Sequence, residues 1–281
     1  MKLHAIDTGF FKLDGGAMYG VVPKSIWNKL NPSDGNNLCS WAMRCLLIEQ
    51  DNRLILIDTG LGNKQDNKFF GHYFLHGEQS LIGSLHEKGF SPSDVTDVIL
   101  THLHFDHCGG AIEWNAAKDG FRPVFNNATY WSSKSHWQCA TQPNPREKAS
   151  FLKENILPIE ESGQLKFIEE ALPNDFAGTE FLFSYGHTEA MVLPKLNYKG
   201  HEIIYMADLI PSVGHIPLPY VMAYDTQPLI TMEEKKRVLT QAVENNSILF
   251  FEHDPVIECC TLKRTEKGII VDQTFKLGDL E

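Results

Sequence analysis

The sequence predicts a mixed α/β protein, two β-sheets with helices on their outer faces. Three observations predict it. Short apolar runs alternate with helical patterns, and the scheme passes once through the first half of the chain and again through the second. No low-complexity linker divides the halves, so residues 1–281 are read as one domain. The composition is that of an ordinary globular protein: 42% hydrophobic, 11% aromatic and 22% charged, against disorder, collagen or coiled coil. A chain of this length buries roughly three quarters of its unfolded surface and needs no disulfide framework. Cys39, Cys45, Cys108, Cys139, Cys259 and Cys260 form no Cys-x-x-Cys pair and read as buried thiols.

Residues 42–49 and 53–58 read as strands joined at Gln50-Asp51-Asn52. Residues 79–88 read as a helix closed by Gly89. Residues 95–101 form a buried strand running into a cluster of histidines. A strand follows over 123–131, then a helical stretch over 133–155 interrupted at Gln142-Pro143-Asn144-Pro145. In the second half, 180–184 is a strand ending at Tyr185-Gly186-His187. Residues 191–196 and 202–207 flank Asn197-Tyr198-Lys199-Gly200, a hairpin signal. An amphipathic helix covers 231–245, a strand covers 247–252 before His253, and 256–263 pairs with 268–275 in a last hairpin. Segment 14–37, rich in Gly and Pro yet carrying Met18, Tyr19 and Trp27, reads as a long apolar loop. Such a loop is functional or an assembly surface. It is expected to line the mouth of a site or to form the contact of a homodimer, with Met18, Tyr19 and Trp27 facing a small-molecule substrate that carries an apolar group.

The charge excludes some partners. With 25 Lys and Arg against 36 Asp and Glu, the formal net charge is −11. A protein that grips phosphate backbones needs basic patches. The longest basic run here, Lys235-Lys236-Arg237, sits beside Glu233 and Glu234 in a helical pattern. Nucleic acid and anionic membrane are disfavoured. No stretch approaches the ~18 apolar residues of a spanning helix, and Met1 to Asp7 lack an apolar signal core. A cytoplasmic location is expected.

The decisive segment is Thr101-His102-Leu103-His104-Phe105-Asp106-His107-Cys108-Gly109-Gly110. Alternate residues of an extended chain share a side, which pairs His102 with His104. Asp106 and His107 follow on the turn into the next helix, so one loop can seed two metal sites. Further donors cap apolar runs elsewhere: His187 after 181–186, Asp208 after 203–207 and His253 after 248–252.

This order, His-x-His-x-Asp-His followed by His, Asp and His, resembles the metallo-β-lactamase superfamily in its dinuclear hydrolase form, over nearly the whole chain. Leu56-Ile57-Asp58-Thr59-Gly60 resembles that family's early strand and turn. The resemblance implies an αββα sandwich, two mixed sheets flanked by helices, with metals at one edge. It implies that His102, His104 and His187 hold a first divalent metal, that Asp106, His107 and His253 hold a second, and that Asp208 bridges them with a shared water or hydroxide. Asp58 would stand behind the ligands, holding their loop. Zinc is the first candidate by availability, with iron, manganese and cobalt also compatible with such donors.

The implied activity is hydrolysis of a lactone or ester, closest in look to N-acyl homoserine lactonases, with the phosphotriesterases of the methyl parathion hydrolase branch as the alternative. Asp106 would orient the nucleophile and carry its proton. The lactonases place a Tyr three residues after the bridging Asp, where this chain has Pro211. His215 is the candidate donor in its stead, as a catalytic and substrate-binding residue. A non-catalytic binding module on the same fold is the reading from a different class, and the complete ligand set argues against it.

Overall fold

The computed structural model describes every residue except 172–175, 177 and 281. Eight strands come first: β1 Lys2–Asp14, β2 Leu38–Gln50, β3 Arg53–Ile57, β4 Asp97–Ile99, β5 Ile112–Trp114, β6 Phe121–Pro123, β7 Thr129–Ser132 and β8 Leu165–Phe167. The second half supplies β9 Thr179–Ser184, β10 Met191–Tyr198, β11 His201–Tyr205, β12 Ile248–Phe250, β13 Cys259–Thr265 and β14 Gly268–Phe275. Two six-stranded sheets result, ordered β1-β2-β3-β4-β7-β8 and β14-β13-β12-β11-β10-β9, while β5 and β6 pair by themselves. Both are mixed. In the first sheet β3, β4, β7 and β8 run parallel; in the second only β11 and β12 are parallel neighbours.

Side-chain alternation explains the layers. Along β2 and β3, Leu46, Ile48, Ile55 and Ile57 enter a core shared with Val192, Ile204 and Phe250 of the second sheet. Their neighbours Cys45, Leu47, Leu54 and Leu56 point the other way. There they meet Leu81 and Leu85 of α4 (Leu81–Glu87), Trp137 of α6 (Lys134–Thr141) and Ile156 of α7 (Lys153–Glu161). Strands buried on both faces read as unbroken apolar runs, as these do. The other flank is covered by α8 (Pro228–Asn245) through Val238, Leu239 and Ala242. The arrangement is the expected mixed α/β one, two sheets flanked by helices.

Three features differ from the sequence expectations. Residues 2–14 form a long strand paired with β2, its alternation obscured by a register shift between Asp7 and Phe10 at Gly9. The strand expected over 123–131 is two strands, because β6 ends at Pro123 and β7 begins at Thr129. Segment 14–37 is no open loop. It folds into α1 (Gly15–Tyr19), capped by Asp14 accepting from Ala17 N–H at 2.8 Å, and α2 (Lys24–Trp27), while α3 (Asn67–Tyr73) follows β3. Met18, Tyr19, Val22 and Trp27 pack inward with Phe11, Trp41 and Met43, while Val21, Ile26 and Leu30 stay exposed. Among the described residues no helix is long and apolar enough to cross a membrane.

Candidate metal centre

The chain delivers its donors where parallel strands end. Asp58 follows β3, and the loop 101–107 follows β4 and enters α5 (Phe105–Cys108). Asp208 and His253 follow β11 and β12, parallel neighbours, and His187 follows β9, which runs the same way two strands further on. All of these termini therefore meet at one edge of the sandwich. Ala207, just before Asp208, and Asp58 both hold positive φ, at 40° and 57°. Such backbone is costly for residues with a Cβ and persists where the surroundings fix it.

Two groups of donors result. In the first, His104 Nδ1 lies 3.1 Å from His102 Nε2 and 3.2 Å from His187 Nε2. Asp208 Oδ2 lies 3.0 Å from His187 Nε2 and 3.8 Å from His102 Nε2. In the second, His107 Nε2 and His253 Nε2 are 3.1 Å apart, each 3.8 Å from Asp106 Oδ2. The other oxygen of Asp208 faces this group, 3.4 Å from His107 and 3.0 Å from His253. Asp208 thus divides its two oxygens between the groups. All seven side chains are buried, and buried Asp208 Oδ1 has no hydrogen-bond partner. Ring nitrogens converging at such distances, beside an orphaned carboxylate oxygen, fit divalent cations with nitrogen and oxygen ligands.

The outward nitrogens of these rings are held as metal-ligating histidines require. His187 Nδ1 is 2.9 Å from Asp225 Oδ1. His253 Nδ1 is 2.7 Å from the carbonyl oxygen of Ala42. His102 Nδ1 is 3.2 Å from Thr101 Oγ1. His104 is the exception: its Nε2 has no hydrogen-bond partner, and Glu147 Oε1 lies 3.9 Å away. His107 Nδ1 meets two carboxylates, Asp58 at 3.1 Å and Glu252 at 3.0 Å. Burial, with Asp58 close by, raises the Glu252 carboxyl to about 8, against the opposing pull of His107. Asp58 also accepts the Thr101 amide at 2.8 Å and its hydroxyl at 2.7 Å, which ties β3 to the ligand loop. Burial lowers the pKa of His136 to about 3. The ring is therefore a neutral acceptor for the Leu103 amide at 2.8 Å.

Above the donors opens a cavity of about 330 Å³, lined by Leu13, Met18, Tyr73, Phe105, Met222 and Tyr224 and by the polar Arg146, Glu147 and Ser150. A second cavity, about 400 Å³ around Thr8, Phe10 and Ser80, contains none of these donors.

Of the residues expected to meet substrate, Met18 lines the cavity. Tyr19 and Trp27 do not: they stack in parallel with centroids 5.8 Å apart, at 0% and 2% exposure. Their size and apolarity drew them inward. His215 is likewise no substrate donor in this arrangement. It is wholly buried, its Nδ1 lies 2.8 Å from Ser212 Oγ, its Nε2 lies 2.9 Å from the Met18 carbonyl oxygen, and its ring stacks on Tyr19 at 4.4 Å. Both nitrogens are engaged, Nε2 with α1 and Nδ1 within its own turn. Cys108 is buried beside the loop, donates to the Leu103 carbonyl at 3.3 Å and is pushed up to about 12 by burial, outside both donor groups.

Sequence reasoning missed Asp225, Glu147, His136 and Glu252 as supports. Only Glu252, next to His253 at a strand end, carried a positional signal.

Comparison with known proteins agrees with this geometry. The family model described as the metallo-beta-lactamase superfamily matches residues 44–253. An N-acyl homoserine lactonase of Bacillus cereus is 26% identical over 269 residues, covering 90% of this chain and 93% of the relative. That of Bacillus thuringiensis subsp. kurstaki, AiiA, is 24% identical over 275 residues with the same coverage. Among solved structures, a probable metal-dependent hydrolase from Staphylococcus aureus superposes with a TM-score of 0.88 at 26% identity, covering 100% of this chain and 98% of that one. The dizinc quorum-quenching lactonase AidC superposes at 0.75 with 23% identity, covering 98% and 95%, which speaks to the fold.

Proposed function

The chain belongs to the metallo-β-lactamase superfamily, and from that premise we propose that it is a dinuclear hydrolase cleaving a lactone or ester bond in a substrate with an apolar group. The observation that carries this reading is the placement of Asp208, with one oxygen toward each donor group. His102, His104, His187 and Asp208 would hold one cation; Asp106, His107, His253 and Asp208 would hold the other, zinc being the first candidate. When bound, two such ions supply a water of lowered pKa and polarise the bond to be cleaved.

The chain's own residues do the rest. Asp208 places an anion between the two cationic positions. Asp106, in the cavity wall beside His107 and His253, orients the attacking water and carries a proton to the leaving group. Tyr73, Phe105 and Tyr224 cover the apolar part of the substrate and exclude water. The lactonases among the relatives favour a lactone. Pro211, which offers no hydroxyl three residues after Asp208, keeps an aryl phosphotriester as the second reading.

The test is a hydrolysis screen of metal-loaded protein on acyl homoserine lactones of several chain lengths, a generic aryl ester and an aryl phosphotriester. Turnover of a lactone or ester that chelation abolishes supports the reading. Turnover of none of them supports a binding module instead.

A further inference from the structure

Among the described residues lining the cavity, Arg146 is the sole arginine or lysine. Its Nη2 donates to the carbonyl oxygens of Ala223 and, at 3.2 Å, Asp225. The N–H groups on Nε and Nη1 meet no acceptor among the described residues, and no carboxylate pairs with this guanidinium. The adjacent carboxylate, Glu147, is turned away toward Thr188 Oγ1 at 2.5 Å and the Asn144 amide. The Arg146 side chain is solvent-exposed, so its spare N–H groups are open to the solvent at the cavity, and no described lysine or second arginine lines that cavity to meet an anion.

Its position is also fixed. Arg146 grips the turn on both sides of Tyr224, the Ala223 amide donates to the Ala17 carbonyl at 2.8 Å, and Asp225 in that turn contacts His187. The guanidinium thus stands at a set place relative to the first donor group. An arginine with donors to spare binds carboxylates and other oxoanions through charge-assisted hydrogen bonds.

We propose that Arg146 is an anion-binding subsite of the cavity, so that the substrate carries a carboxylate or another oxoanion in addition to its apolar part and its scissile bond. This rests on the hydrolase reading and narrows its substrate class.

Two esters of equal chain length test it on the metal-loaded protein: p-nitrophenyl hexanoate and the mono-p-nitrophenyl ester of adipic acid, which ends in a carboxylate. The expected kcat/KM favours the adipate by about ten- to a hundredfold, the range of a hydrogen bond to a charged group. The preference should lie mainly in KM and shrink as salt is added. Arg146→Met should bring the ratio to about one, and Arg146→Lys should keep part of it. Equal kcat/KM for the two esters in the wild type overturns the subsite while leaving the hydrolase reading intact. So does an Arg146→Met variant that lowers both rates and keeps the ratio, since the arginine then only fixes the turn. If neither ester nor any member of the hydrolysis screen is turned over, the hydrolase reading falls and takes this proposal with it.

Discussion

Asp225 Oδ1 lies 2.9 Å from His187 Nδ1, across 38 residues of sequence. The carboxylate is 2% exposed, and its other oxygen accepts from the Met222 amide at 3.2 Å. The contact sets which way the imidazole faces and joins the 222–225 turn to the first donor group. Asp225→Asn keeps the size and removes the charge. It should weaken metal affinity or activity by about ten- to a hundredfold, measured by competition with a chelator. Unchanged affinity would show that the turn merely lies alongside.

Asp208→Ala should be the most damaging of the ligand substitutions, because one residue serves both groups. Bound metal should fall to at most one equivalent per chain and kcat by about a thousandfold or more, several kcal/mol of lost metal assistance. Elemental analysis beside circular dichroism separates this from unfolding. Two retained equivalents would mean that Asp208 does not bridge.

Protons and cations compete for these rings. Burial lowers the pKa of His187 and His253, but Asp208, with Asp225 for the one and Glu252 for the other, outweighs it and leaves values of about 10 and 9. Both lie above the ordinary value near 6.5. Their contribution to the stability of the metal-free protein is therefore complete below pH 6.5 and lost as pH rises through 9 to 10. His107 is likewise held well above the ordinary value, burial being outweighed by Glu252 and Asp208. A cation must therefore displace protons from three rings, and metal affinity should rise with pH up to that range, with about three protons released at pH 7.5. Calorimetric titration in buffers of different ionisation heat counts them. No release, or an affinity that falls as pH rises, would contradict the assignment.

Trp27→Ala should act on stability. The side chain is buried against Tyr19, and such truncations cost about 3–5 kcal/mol. Denaturant unfolding should show that loss, with metal content kept in the folded fraction. A variant of wild-type stability with a changed substrate chain-length preference would restore Trp27 to the substrate wall.

Cys108→Ser should keep two metals and most activity, because the thiol donates to the Leu103 carbonyl instead of joining a donor group. Loss of one metal equivalent, with folding intact, would place sulfur in the second site.

What the sequence disclosed divides by range. Donors that cap strands, such as His187, Asp208 and His253, stand at the ends of apolar runs and show themselves locally. The layers were legible because the strands are apolar on both faces. Residues 2–14 were not, because the register shift at Gly9 breaks their alternation. Asp225 and Glu147 lie in irregular turns, and their roles arise only when distant segments meet. Tyr19, Trp27 and His215 misled for a related reason. A Gly-rich segment with aromatic residues looks the same on paper whether those residues face a ligand or each other.

The most direct measurement of the central claim is a titration of chelator-stripped protein with zinc while ester hydrolysis is followed. Two donor groups sharing Asp208 predict that activity rises with added metal and levels off at two equivalents per chain. Full activity at one equivalent, or none at any loading, would contradict a dinuclear hydrolase.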